Sequence, residues 1–177
     1  MKVIIGADHR GVELKEKVKA ILNDKKIEYE DMGVSTTKSS DYPDIAIPLA
    51  KRVSNGEFER GILICNTGIG MCIAANKVKG AYAALCRSPE MARYARKHNN
   101  ANIMTLSGEY TKEDELEKIL MSFLETKFEC KRHQRRFDKI VENENEWAPK
   151  EDVLKLQKQV KKWEKEAHHW QSRAWRR

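Results

Sequence analysis

The fold class is indicated most clearly by one stretch of the sequence, Gly61-Ile62-Leu63-Ile64-Cys65-Asn66-Thr67-Gly68-Ile69-Gly70. It opens as a short apolar run typical of a buried strand, and a helical pattern begins at Ile69. A strand that leads through small residues into a helix presents backbone N–H groups to an anion in an α/β sheet. Cys65 ends the strand beside those amides, where a thiol can be held as thiolate. The stretch therefore predicts an α/β enzyme in which Cys65 is a candidate base or nucleophile.

Strands and helices alternate on both sides of this stretch. We expect strands at Val3–Ala7, Ile27–Met32, Gly61–Cys65, Ala81–Cys86 and Asn102–Leu106. We expect helices at Val12–Leu22, Pro43–Val53, Ile69–Val78, Pro89–Lys97 and Lys112–Leu124. Five short strands with helices between them indicate a parallel sheet covered on both faces, with right-handed crossovers. The predicted class is thus α/β, a Rossmann-like five-stranded parallel sheet, with an amphipathic helix added at the C-terminus.

Composition and charge restrict the class of protein. No apolar run among the 177 residues approaches the roughly 20 needed to span a bilayer, and Met1-Lys2 leads into Val3 without a signal-peptide pattern. The four cysteines lack C-x-x-C spacing, so neither a zinc site nor a disulfide framework is indicated. We expect a cytoplasmic protein. Residues 148–177 carry nine Lys/Arg against four Asp/Glu, which leaves residues 1–147 nearly balanced and gives no support for nucleic acid as a partner.

Polar residues follow the predicted strands where a parallel sheet binds ligands, beyond the carboxyl ends. Asp8-His9 follow the first strand, Cys65–Gly70 the third, and Ser107-Gly108-Glu109 the fifth. His98-Asn99-Asn100 close the helix before the fifth strand, so they need not lie at this edge of the same subunit. A basic cluster, Lys131–Arg136, comes after the last helix of the sheet.

Six motifs in order carry a resemblance to a known family. They are Gly6-Ala7-Asp8-His9, Asp41-Tyr42-Pro43-Asp44, Cys65-Asn66-Thr67-Gly68-Ile69-Gly70-Met71, Ala74-Ala75-Asn76-Lys77, His98-Asn99-Asn100-Ala101-Asn102 and Arg132-His133-Gln134-Arg135-Arg136. Over roughly residues 1–142 the chain resembles the ribose-5-phosphate isomerase B family, which also includes galactose-6-phosphate isomerase subunits. No single motif is specific, but the ordered set is.

The resemblance implies an isomerase of ribose 5-phosphate and ribulose 5-phosphate that needs no metal or cofactor. It implies that Cys65 moves a proton between C1 and C2 through an enediolate, whose oxyanion Thr67 helps to stabilise. Asp8 and His98 resemble the groups that open the sugar ring. The substrate-binding positions carried over are His9, Tyr42, Asn66, Gly68, Ile69, Gly70, Asn99, Arg132 and Arg136. In the family the site is shared across a homodimer, so a monomer would be inactive.

Each of these residues also has an ordinary structural interpretation. A cysteine at a strand end is usually a small buried hydrophobe, and we keep that interpretation for Cys72, Cys86 and Cys130. An Asp-His pair is often a turn, and a histidine favours a helix C-terminus through its charge. A run such as Lys131–Arg136 is usually a solvated face.

Two departures from the family pattern leave the substrate open. Asn66 stands where the family mostly has glycine, and asparagine is the least costly replacement if that position needs a positive φ. Glu109 stands where the family usually has a phosphate-binding arginine. Met71 occupies the position of a glutamate base in another branch, which assigns the chain to the cysteine branch. The alternatives are an isomerase of six-carbon sugar phosphates (allose or galactose 6-phosphate) and an assembly scaffold with weakened catalysis.

The C-terminal segment forms a second predicted domain, 148–177, after an isomerase domain at 1–147. Its apolar residues alternate at spacings of three and four: Val153, Leu156, Val160, Trp163, Ala167, Trp170 and Ala174. This heptad seam predicts a helix that self-associates, with antiparallel pairing preferred because each Trp then faces an Ala. Packing on its own domain is the alternative, and a membrane or RNA surface is disfavoured for want of a basic motif. The sequence leaves open whether the segment is natural or fused.

Overall fold

The computed structural model describes residues 1–146. The predicted C-terminal helix, its heptad seam and its self-association lie outside the described residues. The chain divides into two compact units, Met1–Phe137 and Asp138–Arg177. The boundary expected at residue 147 stays a prediction.

The order of strands and helices is the one that the sequence predicted, with one added helix. The strands are β1 (Val3–Ala7), β2 (Tyr29–Asp31), β3 (Arg60–Cys65), β4 (Ala83–Leu85) and β5 (Ile103–Ser107). The helices are α1 (Val12–Asp24), α2 (Tyr42–Ser54), α3 (Ile69–Ala75), α4 (Pro89–Asn99), α5 (Glu113–Glu125) and α6 (Lys131–Glu146). The α6 helix covers the basic cluster, for which we had predicted no helix.

The helix α3 is shorter than predicted. It ends at Ala75, and the chain continues in tighter turns, in which the N–H groups of Lys77 and Val78 donate to the carbonyls of Ala74 (3.1 Å) and Ala75 (3.0 Å). The Asn76 side chain bridges to the next strand, donating to the carbonyl of Ala83 (2.9 Å) and accepting from its N–H (2.9 Å). This bridge joins the end of α3 to β4.

All five strands are parallel and lie in the order β2-β1-β3-β5-β4. The central strand, β3, pairs with β1 and β5, so that Ile64 lies opposite Ala7 and Cys65 opposite Ser107. The carboxyl ends of these three strands therefore meet at one edge of the sheet. The predicted Rossmann-like five-stranded sheet is confirmed.

The side chains of alternate strand residues enter two separate cores. One core lies between the sheet and helices α1, α4 and α5, and includes Ile62 and Ile64 of β3. The other lies against α2 and α3, and includes Leu63 and Cys65. Because side chains alternate across a strand, Cys65 faces the α2–α3 layer.

A buried lysine fixes the loop that follows β2. Lys15 is 1% exposed, and its ammonium contacts the Asp31 carboxylate (2.8 Å) and donates to the carbonyl of Val34 (2.9 Å). Burial raises the pKa of Asp31, but hydrogen bonds from Lys15, Gly33 and Lys19 outweigh it and hold the pKa below its ordinary value. The ionised pair anchors this loop beside the end of β1, next to Asp8.

Among residues 1–146, no helix is long and apolar enough to cross a membrane.

Candidate active site

Cys65 ends β3 in a buried position with a hydrogen-bond donor on its sulfur. The thiol is 5% exposed, and the backbone N–H of Gly68 donates to Sγ at 3.2 Å. The left-handed backbone of Gly68 (φ 77°) turns the chain so that this amide faces the sulfur. A donor in this position stabilises negative charge on the sulfur.

Thr67 lies on the same loop with its hydroxyl partly engaged. Its Oγ1 accepts the N–H of Ile69 at 3.3 Å. A hydroxyl that accepts one hydrogen bond keeps its own proton for donation elsewhere. Thr67 can therefore donate to an oxygen of a bound ligand, while the amides of Gly68 and Ile69 have partners within the loop.

Tyr42 lies over the start of α3. It is the first residue of α2 and 41% exposed, and a Cβ built on Gly70 would lie 3.0 Å from its ring. The glycine therefore allows the ring to approach the loop closely. Of the predicted substrate positions, Tyr42, Gly68, Ile69 and Gly70 are thus brought together around Cys65.

The loop after β5 is bound to the Cys65 loop by backbone contacts. The N–H of Gly108 donates to the Cys65 carbonyl (2.8 Å), and the Ser107 hydroxyl donates to the Asn66 carbonyl (2.6 Å). A Cβ on Gly108 would lie 2.6 Å from the carbonyl oxygen of Arg10, so only glycine fits there. The loops after β1, β3 and β5 therefore form one rigid unit.

His9 is held in one tautomer by a reciprocal pair with Ser40. The backbone N–H of Ser40 donates to the ring Nδ1 of His9 (3.2 Å), and the backbone N–H of His9 donates to Oγ of Ser40 (3.2 Å). Because Nδ1 accepts, the ring proton of the neutral form lies on Nε2. His9 therefore offers an N–H donor, which suits an anionic ligand.

Asp8 is buried at the end of β1. It is 6% exposed, and its Oδ1 accepts the N–H of Arg10 at 2.9 Å. Burial raises the pKa of Asp8 above its ordinary value, although the Arg10 and Gly11 amides and the charges of His9 and Arg10 oppose the shift. Such a carboxyl is suited to proton transfer.

A cleft of about 460 Å³ opens at this edge of the sheet. Its lining includes His9, Arg10, Thr37, Asn66, Gly108 and Glu109. Glu109 is exposed, and its N–H donates to the Asn66 carbonyl at 3.1 Å. The cleft therefore combines donors for an anion with the carboxylates of Glu13 and Glu109. We name these residues, together with Asp8, Tyr42 and Cys65–Gly70, the cysteine cluster.

His98 belongs to a second group of side chains at the end of α4. Its ring stacks on that of His133 (centroids 4.2 Å apart, planes 7° apart) and lies 4.7 Å from Tyr94. Nε2 of His98 lies 3.9 Å from Oε2 of Glu129. We name His98, Asn99, Glu129, Arg132, His133 and Arg136 the histidine cluster.

The α6 helix arranges the basic residues of this cluster. Arg132 and Arg136 are exposed and one turn apart, so they share a face, whereas His133 points inward and is 4% exposed. Asn99 is exposed at the last residue of α4. Three of the predicted substrate-binding residues therefore face solvent beside His98.

The strand register separates the two clusters within one chain. The helix α4 leads into the amino end of β5, where the N–H of Gly61 donates to Asn102 (2.9 Å) and Ile103 pairs with Gly61. Cys65 lies four residues further along β3, about 13 Å at the rise of a parallel strand. The expectation that His98-Asn99-Asn100 need not share the edge of Cys65 is confirmed.

The other cysteines differ from Cys65 in their surroundings. Burial, followed by the charge of Cys72, raises the pKa of Cys86 to about 12, and burial raises the pKa of Cys72. Cys130 is exposed next to α6. The buried Cys86 thus fits the interpretation as a small buried hydrophobe, Cys72 is partly buried, and Cys130 is not buried.

One residue of these clusters, Glu129, was not singled out from the sequence. It faces His98, and its partners belong to another helix, so no local pattern marks it. Ser107, one of the polar residues expected after the fifth strand, lies opposite Cys65, and its hydroxyl joins the two loops.

Comparison with known proteins identifies the family. Residues 3–140 match the sequence profile of the family described as Ribose/Galactose Isomerase. The chain belongs to this family, and the resemblance drawn from its motifs is confirmed. It is therefore an aldose–ketose isomerase of sugar phosphates.

Solved structures agree with this assignment. The crystal structure of a ribose 5-phosphate isomerase from Thermotoga maritima is 48% identical, with a TM-score of 0.77, covering 80% of this chain and 97% of that one. Ribose-5-phosphate isomerase B from Mycoplasma genitalium, solved with bound ribulose-5-phosphate, is 44% identical, with a TM-score of 0.78 and coverage of 82% and 97%. The D-erythrulose-4-phosphate isomerase of Pectobacterium atrosepticum is 38% identical over 130 residues, 73% of this chain and 86% of that one.

Asp8→Asn should raise stability at neutral pH. A folded-state pKa above the ordinary 3.8 means that ionisation of the buried carboxyl costs stability as pH rises through that raised value. Asparagine keeps the acceptor for Arg10 without the charge, so its advantage should be greatest at neutral pH and vanish below about pH 4. Thermal melts across that range test this, at about 2–4 °C per kcal/mol.

The exposed carboxyl of Asp24 provides the control, since Asp24→Asn should give no such pH-dependent gain. A difference between Asp8→Asn and the parent that stays constant from acidic to neutral pH would contradict this account.

Proposed function

We propose that the protein interconverts ribose 5-phosphate and ribulose 5-phosphate, with Cys65 as the base. The observation that carries this proposal is a buried thiol at a strand end, with a backbone donor on its sulfur, beside an open cleft. The similarity to a protein solved with ribulose-5-phosphate supports the choice of a pentose phosphate. A cytoplasmic location fits this metabolic role.

The chemistry assigns a task to each group of the cysteine cluster. The Cys65 thiolate removes the C2 proton of the open-chain aldose, and the electrons form the C1=C2 bond as negative charge moves to the C1 oxygen. The proton of the C2 hydroxyl then passes to the C1 oxygen, the C2=O bond forms, and the Cys65 thiol returns its proton to C1. Thr67 donates to the enediolate oxygen, where a positioned donor contributes most. The Nε2–H of His9 donates to the phosphate.

Cys65→Ala should lower kcat by about 10²–10⁴-fold or more, the contribution typical of a general base. Coupled assays of ribulose 5-phosphate formation measure it, with circular dichroism to verify the fold. Cys72→Ala removes a thiol of the neighbouring helix and should keep activity within about twofold. Full turnover in Cys65→Ala would refute the mechanism.

A homodimer with shared sites is the second part of the proposal. His98 closes α4 at the amino edge of the sheet, and Cys65 ends β3 at the carboxyl edge. A strand holds these edges apart, so one substrate meets both residues only when a second chain supplies the histidine cluster. Arg132 and Arg136 would then bring the phosphate its positive charge.

Mixing two inactive variants tests this sharing. In a homodimer of the Cys65→Ala variant, both sites lack the base. In a homodimer of the His98→Asn variant, both sites lack His98. A heterodimer restores one of its two sites, so random remixing should recover about a quarter of wild-type activity. Isolated variants remixed after mild dissociation provide the measurement. If native mass spectrometry shows heterodimers but no activity returns, both residues belong to the site of one chain, and the sharing is refuted.

Glu109 favours a second candidate for substrate preference. Its carboxylate lines the same cleft as His9 and would repel a phosphate nearby. The alternatives are a six-carbon sugar phosphate, such as allose or galactose 6-phosphate, or a scaffold in which catalysis has weakened. Self-association of residues 148–177 would suit a scaffold. That self-association stays a prediction.

Glu109→Arg should lower KM for ribose 5-phosphate several-fold, with kcat nearly unchanged, because it replaces repulsion by attraction. Steady-state rates on ribose 5-phosphate and on allose and galactose 6-phosphates measure both the effect and the preference. Asp114→Asn, an exposed change at the start of α5, is the control. An unchanged KM together with fast wild-type turnover would exclude the weakened scaffold.

A further inference from the structure

Glu129 lies in the loop between α5 and α6 and is joined to the end of α4. Its backbone N–H donates to the Lys97 carbonyl at 3.0 Å. The buried Arg96 supports the same junction, donating to the carbonyls of Thr126 (3.3 Å) and Ala101 (2.5 Å). The loop therefore has a fixed position relative to His98.

The carboxylate of Glu129 faces the last turn of α4. Its Oε2 lies 3.3 Å from Nζ of Lys97 and 3.9 Å from Nε2 of His98. The second distance exceeds a hydrogen bond, so in this state the carboxylate lies beside His98 without bonding to it. Catalytic hydrogen bonds are often long without substrate and shorten when it binds.

Stacking restricts the ring of His98. His133 covers one side with planes 7° apart, and Tyr94 also contacts the ring. Stacking fixes the plane of the ring, but it does not fix the rotation within that plane, which sets where the two nitrogens point. The Glu129 carboxylate supplies that direction, because it attracts an N–H at Nε2 and leaves Nδ1 for the substrate.

Different partners surround Glu129 and His133. The Lys97 hydrogen bond, helped by the charge of Lys97, holds the pKa of Glu129 below its ordinary value. Burial, with the charges of His98 and Arg132, lowers the pKa of His133. Nε of Arg132 donates to Nε2 of His133 at 3.4 Å, which requires that nitrogen to be unprotonated. His98 is therefore the imidazole that the carboxylate can pair with.

A metal ion fits this cluster poorly. Donor atoms of His98, Glu129 and His133 lie within 4.8 Å of one another, a spacing that a metal could draw together. However, the Glu129 carboxylate already forms an ion pair with Lys97, and Arg132 donates to Nε2 of His133. A cation entering here would meet two cations, so an ion-pair network describes the cluster better.

We propose that Glu129 is a positioning residue for the opening of the sugar ring, acting through His98. This inference rests on the proposed function. In the step, His98 Nδ1 takes the proton of the C1 hydroxyl, the O1 electrons form the C1=O bond, and the C1–O4 bond breaks as O4 receives a proton from Asp8. The Glu129 carboxylate stabilises the imidazolium that forms.

The two directions of the reaction separate ring opening from proton transfer. Ribose 5-phosphate closes through its C4 hydroxyl and must be opened. Ribulose 5-phosphate is acyclic, since its C5 oxygen carries the phosphate. Exchange of its C1 proton with deuterium from solvent therefore needs the enediolate step alone.

Glu129→Gln should lower kcat for ribose 5-phosphate about 10- to 100-fold while C1 exchange of ribulose 5-phosphate changes less than about twofold. NMR measures the exchange, and a coupled assay the isomerisation. Glutamine keeps the backbone donor and the volume of the side chain. Glu129→Asp keeps the charge and should recover part of the loss. Glu125→Gln, exposed at the end of α5, is the matched control and should leave both rates unchanged.

Equal loss of both rates in Glu129→Gln would overturn the proposal, because it would indicate a structural role for the loop. An unchanged rate of isomerisation in Glu129→Gln would overturn the proposal as well. If Glu129→Gln does not fold, the same two rates measured on Glu129→Asp decide between the outcomes. Failure of the proposed function is distinct, since wild-type protein would then show no Cys65-dependent exchange of ribulose 5-phosphate.

Discussion

The site depends on one constraint, the register of the central strand β3 between β1 and β5. Backbone hydrogen bonds set Ile64 opposite Ala7 and Cys65 opposite Ser107, so three loops meet at one edge. The same register sends the end of α4 to the other edge, because Ile103 pairs with Gly61. A single set of backbone bonds thus brings the residues of the cysteine cluster together and places the end of α4, with His98, at the other edge.

The loops at the carboxyl edge are held mainly by backbone and buried groups. Gly108 approaches the Arg10 carbonyl, and the Lys15–Asp31 pair anchors the loop after β2. The His9 ring adds a contact by accepting the Ser40 N–H, whereas the exposed side chain of Glu109, which also lines the cleft, takes no part in these contacts. Substrate preference can therefore change by substitution in the cleft while the fold stays the same. This agrees with a relative of the chain that is a D-erythrulose-4-phosphate isomerase.

Periodicity predicted the alternation of strands and helices, because buried strands and amphipathic helices leave regular apolar spacing. It missed the helix α6, whose inward stripe consists mainly of His133 and Phe137 among charged residues. It placed the end of α3 too late, because apolar residues continue to Val78 through turns whose hydrogen bonds span three residues and not four. Cys65 could be predicted from its place at a strand end. Glu129 could not, because its partners Lys97 and His98 come from another helix far along the chain.

The charge distribution connects phosphate binding to association of two chains. Within the described residues, the cleft of the cysteine cluster holds the carboxylates of Glu13 and Glu109 beside His9 and Arg10. Arg132 and Arg136 lie in the histidine cluster, at the other end of β5. If the site is shared as proposed, a phosphate dianion binds best where two chains meet, so substrate stabilises the dimer by mass action. Glu109 adds negative charge beside that phosphate, so its cost in affinity depends on how much positive charge the second chain brings to the shared site.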